Sequence, residues 1–504
     1  MSAAVNELQE LRFRLSAGQR GRWFLYQLEP GCQSTHNISF AARLSGPIAH
    51  AMFDQTFQHM VDRHPMLRAS FETVDGEPWQ RIAPHVTGHV QIRDASSLSD
   101  IELLRLVRSD SERPFDLAQA PLMRICIYQR SETDGVILFS FDHLIGDGWS
   151  YWRFMHEFGQ VLASCQRGGV ECPVLADIEA SYAEYVHWQR SWLDGAGGRS
   201  ELDHWRNVLQ PEYAAQHFPA DRLPGSRSGS RYATRHFSFR GENLQRLMAF
   251  CQEHAASCFL VLLAVFEVFL SRHLGHEDVV IGSMMPARRL RKWRNVFGDF
   301  ANPVVLRTNV SGAAPFHKII EETRSVVFRA MSHQDLPFST LIEHTAEQRS
   351  SYSHPLFQTA YVFQKARGGG DVTMLWGDHL ENPSVHWGDI ALSAYPVYQS
   401  GGNAGVDLVL EVLELEDCLR CSFNYDEQLF DERTIDLLIG RFTRLMYAVL
   451  DRPRDPVGQL TLLSEAERRD IIEGFNATQT PAWSTGLVHE LFEAQAERTP
   501  DAVA

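Results

Sequence analysis

The segment FSFDHLIGDGWS (139–150) is the densest cluster of polar groups suited to proton transfer in the chain. His143 follows directly on an apolar, strand-like run, and a strand end can hold a side chain rigidly in a cleft. With an unperturbed pKa of about 6.5, an imidazole there can take and return a proton at neutral pH, so His143 is a candidate general base. Asp147, four residues on, can fix the loop through an arginine, and Gly148 beside it lets backbone or substrate approach closely. An HxxxDG string alone is short enough to occur without function, a satisfied loop histidine being the bland alternative. Its neighbours decide.

The thiols are the other reactive groups. Eight cysteines scattered through 504 residues make no disulfide framework and fit a reducing, cytoplasmic setting. Cys418 and Cys421 have redox-motif spacing, but they lie in an alternating stretch (406–425) that reads as strand, which would put the two thiols on opposite faces. No cluster suggests a metal site.

The elements that must position His143 follow from periodicity. Residues 46–67 repeat apolar positions at helical spacing, WQRI and HVQI read as strands, and a helix near 99–111 leads into the strand pair PLMRICIYQR and GVILFSFDHLIGDGWS. Residues 150–165 and 181–193 read as helices, and the Gly/Ser-rich stretches 194–200 and 224–230 as flexible connections. The second half starts again with strand RYATRHFSF, a helix from Glu242, an apolar helix at 256–273, strand VVIG, helices after Pro315 and at 336–344, then an alternating strand pair and a helix at 432–450. The pattern is α+β, with two lobes of similar build. The apolar stretch 257–270 contains Glu267 and is too short to span a bilayer, and the first residues lack the apolar run of a signal peptide. Lys plus Arg total 47 against 63 Asp plus Glu, a net charge of −16 that disfavours nucleic acid and anionic membrane as primary partners and requires any basic site to be local.

Beyond this reading, the chain resembles a condensation domain of a nonribosomal peptide synthetase, a relative of the chloramphenicol acetyltransferase-like enzymes. Leu15 to Arg20 with Trp23 is similar to that family's opening motif, and Arg63 to Arg68 with Phe71 to its second. Asp142 to Ser150 stands where the family carries HHxxxDGWS. Tyr182 to Tyr185 with Trp188, Gly298 to Asn302 with Arg307, His333 to Phe338, and His354 to Phe357 resemble later motifs in order. The resemblance covers about residues 10–455. It implies two lobes in a V-shaped pseudo-dimer with a tunnel between them: 1–180 the N-terminal lobe, 181–455 the C-terminal lobe, 456–488 a linker, and 489–504 the truncated start of an adenylation domain.

The same resemblance implies the chemistry. Two carrier proteins would deliver thioesters on phosphopantetheine arms, no cofactor being bound by the domain itself, and the acceptor amine would attack the donor carbonyl near His143. Asp142, Asp147, Gly148 and Arg288 become active-site structural residues, with Asp147 paired to Arg288 in IGSMMPAR. Gly146, Trp149, Ser150 and Asn302 become candidates for the tunnel and its substrates, while Ser16, Gln19 and Arg63 fit structural roles.

Three departures qualify this. The first motif histidine is Asp142, so Asp142, Asp147 and Ser150 also satisfy the DxxxxDxxS pattern of heterocyclisation domains. The basic run 288–294 is either a solvated loop or a local anion site for the phosphates of phosphopantetheine or coenzyme A. The motifs begin within the first residues after Met1, which leads to the expectation of a starter domain taking acyl-coenzyme A, or of a donor carrier supplied in trans. A non-catalytic scaffold that recruits carriers is the alternative from another class.

Overall fold

The computed structural model describes residues 11–28, 36–167, 173, 175–210, 216–222, 232–345, 356–365, 372–375, 384–399, 406–478 and 487–501. Its strands are β1 (Leu11–Arg14), β2 (Asn37–Ser45), β3 (Ala69–Val74), β4 (Glu77–Ile82), β5 (Gln91–Asp94), β6 (Met123–Gln129), β7 (Asp134–Asp142), β8 (Tyr232–Arg240), β9 (Asp278–Met285), β10 (Asn302–Asn309), β11 (Thr359–Lys365), β12 (Ser384–Trp387), β13 (Ile390–Gln399), β14 (Leu408–Glu414) and β15 (Cys418–Asp426). The helices are α1 (Ala17–Leu28), α2 (His50–Arg63), α3 (Asp100–Ser111), α4 (Gly148–Gln166), α5 (Tyr182–Asp194), α6 (Ala196–Val208), α7 (Gly241–Glu253), α8 (Cys258–Leu274), α9 (Phe316–Ser332), α10 (Phe338–Thr345), α11 (Glu432–Asp451), α12 (Glu465–Arg469) and α13 (Val488–Arg498). Residues 1–460 form one compact unit and 461–504 another, the latter carrying the exposed helices α12 and α13.

Two six-stranded sheets organise the larger unit, in the orders β12-β13-β2-β7-β6-β5 and β10-β9-β11-β14-β15-β8, with a small β1-β4-β3 sheet beside them. Sheet membership does not follow the sequence division near residue 180. Strand β13, from the second half of the chain, pairs with β2, and β12 pairs with β13, so residues 384–399 join the first-half sheet and depart from the expected C-terminal lobe.

β7 carries the site, and its sequence explains its rigidity. Ile137, Phe139 and Phe141 point into the core that includes Phe53 and Phe57 of α2 and Phe154 and Phe158 of α4. Val136 and Leu138 point the other way, toward Leu103 and Val107 of α3. A strand covered on both faces needs a continuous apolar run, which VILFSF supplies. Each fully buried side chain of this kind contributes about 1.5–3 kcal/mol, so the strand end is firmly anchored.

Two expectations change. Residues 194–200 are no flexible connection: α6 begins at Ala196, and its glycines let it pack against the end of α5. A Cβ on Gly198 would lie 2.3 Å from the Leu193 carbonyl oxygen, and one on Gly197 2.6 Å from Trp192 Nε1. The stretch 224–230 lies outside the described residues. Cys418 and Cys421 sit three apart on the fully buried β15, and burial pushes both thiols up, away from redox chemistry. Among the described residues no single helix is long and apolar enough to cross a membrane.

Candidate active site

His143 follows the last residue of β7, and α4 starts at Gly148, so the motif is a five-residue turn between a buried strand and a helix. The turn is pinned at each step. The His143 N–H donates to the His36 carbonyl (3.1 Å), the Leu144 N–H to Asp142 Oδ1 (2.8 Å), and Gln19 Nε2 to the Leu144 carbonyl (2.7 Å). Asp147 caps α4, accepting from the Ser150 N–H at 2.9 Å.

Asp147 does more than cap. Arg288 grips it in a fork, Nη1 to Oδ2 at 2.6 Å and Nη2 to Oδ1 at 3.0 Å, and the Phe300 and Ala301 N–H groups also donate to Oδ2. Both side chains are buried. Burial acts to raise the Asp147 pKa, but the Arg288 charge and these hydrogen bonds prevail and hold it below the usual range. Ser150 completes the knot: its hydroxyl donates to the Gly298 carbonyl (2.9 Å) and accepts from Arg288 Nη2 (2.7 Å). The 142–150 loop and the 298–302 segment are thereby locked together.

Asp142 is engaged inside the fold. It is buried, accepts a hydrogen bond from the Tyr26 hydroxyl, and also bonds the Leu144 N–H. Burial raises its pKa to about 6. Asp142, Asp147 and Ser150 are thus all engaged in bonds within the fold.

The candidates for the tunnel separate. A Cβ on Gly146 would come within 2.7 Å of Phe297 Cε1 and 3.1 Å of Phe141 Cε2, so Gly146 is packed into aromatic core and does not line a passage. Around Gly148 a Cβ would meet nothing within 4 Å. Asn302 donates to the Gln334 and Leu336 carbonyls (2.9 and 2.7 Å) and accepts from the Phe338 N–H (2.8 Å), clamping the 334–338 segment to β10. Ser150 is likewise held internally. Trp149 is the exposed one, with Nε1 donating to the Arg294 carbonyl at 3.1 Å.

The basic run 288–294 is partly neutralised. Arg288 belongs to Asp147, Arg289 pairs with Asp335 at 2.9 Å, and Lys292 lies 4.3 Å from the centre of the Trp293 ring. Arg291 extends into solvent, 3.9 Å from Glu179. Ser16, Gln19 and Arg63 are structural: Gln19 and Ser16 bond reciprocally, and Arg63 shares Glu157 with His64. Of the His354 to Phe357 motif, His354 and Pro355 lie outside the described residues, while Phe357 is buried against Gly282.

His143 itself is only 5% exposed. Burial and then the Arg22 charge push its pKa well below the ordinary histidine range, while its own backbone carbonyl and Asp147 act the other way. The ring is therefore neutral at pH 7, the form a proton acceptor needs. Sequence reasoning passed over Arg22, Tyr26 and Asp299. Arg22 and Tyr26 stand four apart on α1, hence on one face, and that face looks onto the site.

The chain matches the family model of the condensation domain over residues 9–472. A linear gramicidin synthase chain from Brevibacillus parabrevis is 31% identical over 500 residues, covering 98% of this chain and 9% of its own length. Bacitracin synthase 3 of Bacillus licheniformis is 28% identical over 504 residues, covering 100% and 8%. The chain thus spans less than a tenth of either relative. Among solved structures, a four-domain nonribosomal peptide synthetase bound to AMP and glycine superposes with a TM-score of 0.84 at 21% identity, over 99% of this chain and 38% of that one. The starter condensation domain of rhizomide synthetase in complex with C8-CoA does so at 0.75 and 18%, over 90% and 98%. At these identities the structural likeness establishes the fold, which is that of the condensation domains. Matched to the family along most of its length, the chain belongs to the condensation-domain family of the nonribosomal peptide synthetases.

Proposed function

We propose that the chain forms an amide bond, joining a thioester-bound acyl donor to the amine of an aminoacyl thioester on a carrier protein, with His143 accepting the amine proton. The observation that carries this reading is a neutral, buried imidazole in the turn that follows a rigid strand, held there by the backbone bonds of the motif loop. As the amine nitrogen bonds the donor carbonyl carbon, its proton passes to His143. The C–S bond then breaks, and the departing thiolate takes that proton. General-base help contributes typically 10²–10⁴-fold, whereas holding two thioesters in line contributes effective molarities of about 10⁵ M or more. The domain's main work is then alignment, which suits a loop locked by Asp147 and Arg288.

The partners in this reading are an acceptor and a donor carrier bearing phosphopantetheine, meeting in a tunnel between the two sheets' lobes. Residues 461–504 would lead toward an adenylation domain. A second form takes acyl-coenzyme A as donor. Of its motivations, Gly146 is used in packing and Arg288 is buried against Asp147, while Arg289, Arg291 and Arg294 are exposed, the first beside Asp335 and the second 3.9 Å from Glu179, and these can meet a phosphate. The test offers an aminoacyl-loaded acceptor carrier with peptidyl-carrier, aminoacyl-carrier or acyl-coenzyme A donors of increasing length. Amide from carrier donors alone identifies an elongation enzyme, and amide from acyl-coenzyme A identifies a starter. A product lighter by one water, with Cys, Ser or Thr acceptors, identifies cyclisation. No product from any donor sinks the catalytic reading and favours a recruiting scaffold.

A further inference from the structure

Asp299 sits against the catalytic candidate with an unusual pair of open valences. Its Oδ1 lies 3.5 Å from His143 Nδ1, and among the described residues neither buried atom has a well-formed hydrogen bond, the histidine's own backbone carbonyl being the other acceptor that acts on the ring. The carboxylate cannot swing aside. Its other oxygen accepts from Arg22 Nε at 3.0 Å, and its backbone carbonyl accepts from the Tyr182 hydroxyl at 2.7 Å. On either side, Gly298 is bonded to Ser150, and Phe300 and Ala301 to Asp147, so the segment holding Asp299 is tied directly to the loop holding His143. A contact of 3.5 Å is about half an ångström longer than a formed bond, and catalytic hydrogen bonds in unliganded sites commonly tighten when substrate binds.

We propose that Asp299 is a positioning residue for amide formation: it holds His143 in the Nδ1–H tautomer, leaving the Nε2 lone pair as the base. This rests on the reading of His143 as proton acceptor. When Nε2 takes the amine proton, Nδ1 keeps its own, and the imidazolium formed is paired with the Asp299 carboxylate. The proton on Nε2 then leaves with the thiolate, and Asp299 remains ionised throughout, its charge steadied by Arg22. Burial lifts the Asp299 pKa to about 6, with Arg22 opposing, which leaves it charged at neutral pH.

Asparagine at this position makes a sharp test, because its single acceptor oxygen is claimed by Arg22 and its NH₂ then faces Nδ1, favouring the wrong tautomer. In serine proteases the equivalent change costs about 10⁴-fold with the geometry intact. For the looser contact here, Asp299→Asn is expected to lower the maximal single-turnover rate by about 10²-fold or more while half-saturating acceptor concentration stays within about threefold, and Asp299→Glu is expected to recover part of the rate. Nitrogen-15 NMR of the histidine ring in the full chain, assigned by loss of the signal in His143→Gln, should show Nδ1–H in the wild type and a shift toward Nε2–H in Asp299→Asn. An Nε2–H wild type overturns the proposal. So does an Asp299→Asn protein that keeps Nδ1–H and near-normal rate, which would mean that the histidine's own carbonyl fixes the ring. Should the asparagine variant not fold, the same ring spectra and rates are read on Asp299→Ala, where an unchanged Nδ1–H tautomer with a near-normal rate likewise overturns the proposal. If the wild type makes no amide at all, the functional reading fails, while the tautomer still reports on Asp299.

Discussion

Replacing Asp147 by alanine removes the acceptor for two guanidinium hydrogen bonds and three backbone N–H groups at once. The Arg288 side chain is 3% exposed, so its charge would be left in the interior with Ser150 Oγ, backbone carbonyls, the Phe300 ring at 4.1 Å and the more distant charge of Asp299, already claimed by Arg22. Stranding one partner of a buried pair costs about 3–5 kcal/mol. With an unfolding entropy of about 2.1 cal/mol/K per residue, a unit of residues 1–460 melting as one has about 1 kcal/mol/K, so the expected fall in Tm is about 3–5 °C. Amide formation should fall too, because the cap of α4 and the clamp on residues 298–301 position His143. Scanning calorimetry with a parallel guanidinium titration is the assay. The pair also sets a pH dependence: the depressed Asp147 pKa means that its stabilisation is present above the unfolded value of about 3.9 and is lost as pH falls through the lower folded value. The difference between wild type and Asp147→Ala should therefore shrink in acid. An alanine variant melting within 1 °C of wild type at pH 7 would refute the reasoning, since it would show that the charge finds other compensation.

Other substitutions separate packing from passage. Gly148→Ala should stay within about 1 kcal/mol of wild type, because its Cβ enters open space, whereas Gly146→Ala should cost about 1–3 kcal/mol by pressing on Phe297; thermal melts of the two variants read the contrast directly. Asp142→His restores a histidine pair at 142–143 but deprives Tyr26 and the Leu144 N–H of their acceptor, and a loss of about 1–3 kcal/mol is expected by denaturant titration; an equally stable variant would show that the Tyr26 contact matters little. Glu267 of α8 accepts from Thr308 and Thr323, and burial raises its pKa to about 7. A raised carboxyl favours the folded state below the unfolded pKa and loses that advantage as pH rises toward 7, so the stability of Glu267→Gln relative to wild type should grow between pH 5 and 8 and then level off. A difference flat across that range would contradict the assignment.

The motif loop was readable because its chemistry is local: an apolar run, a histidine at its end, and an Asp-Gly that caps a helix. The Asp147–Arg288 pair was expected from the family resemblance, through the arginine of IGSMMPAR, and the structure forms it. What escaped was long-range. Nothing in one sequence places Arg22 beside Asp299, 277 residues on, or shows that Tyr26 closes off Asp142. The same limit applies to Gly146, whose role depends on Phe297 arriving from a distant segment, and to Asn302, whose three bonds all reach residues 334–338. The glycines at 197 and 198 read as a loop because composition records freedom, and only the approach of α5 shows that they serve close packing. Strands 384–399 joined the other sheet for a related reason, since alternation fixes which face is buried but not against which neighbour.

The central claim is that His143 accepts the proton during amide formation, and the most direct measurement is the single-turnover rate of His143→Ala beside wild type, with loaded donor and acceptor carriers and matched melting curves. A loss of at least about 10²-fold with the fold unchanged is expected, because the motif turn is held by bonds of its backbone and of Asp142 and Gln19 that do not use the His143 ring. A well-folded His143→Ala protein that forms amide at close to the wild-type rate would contradict it and leave alignment as the domain's whole contribution.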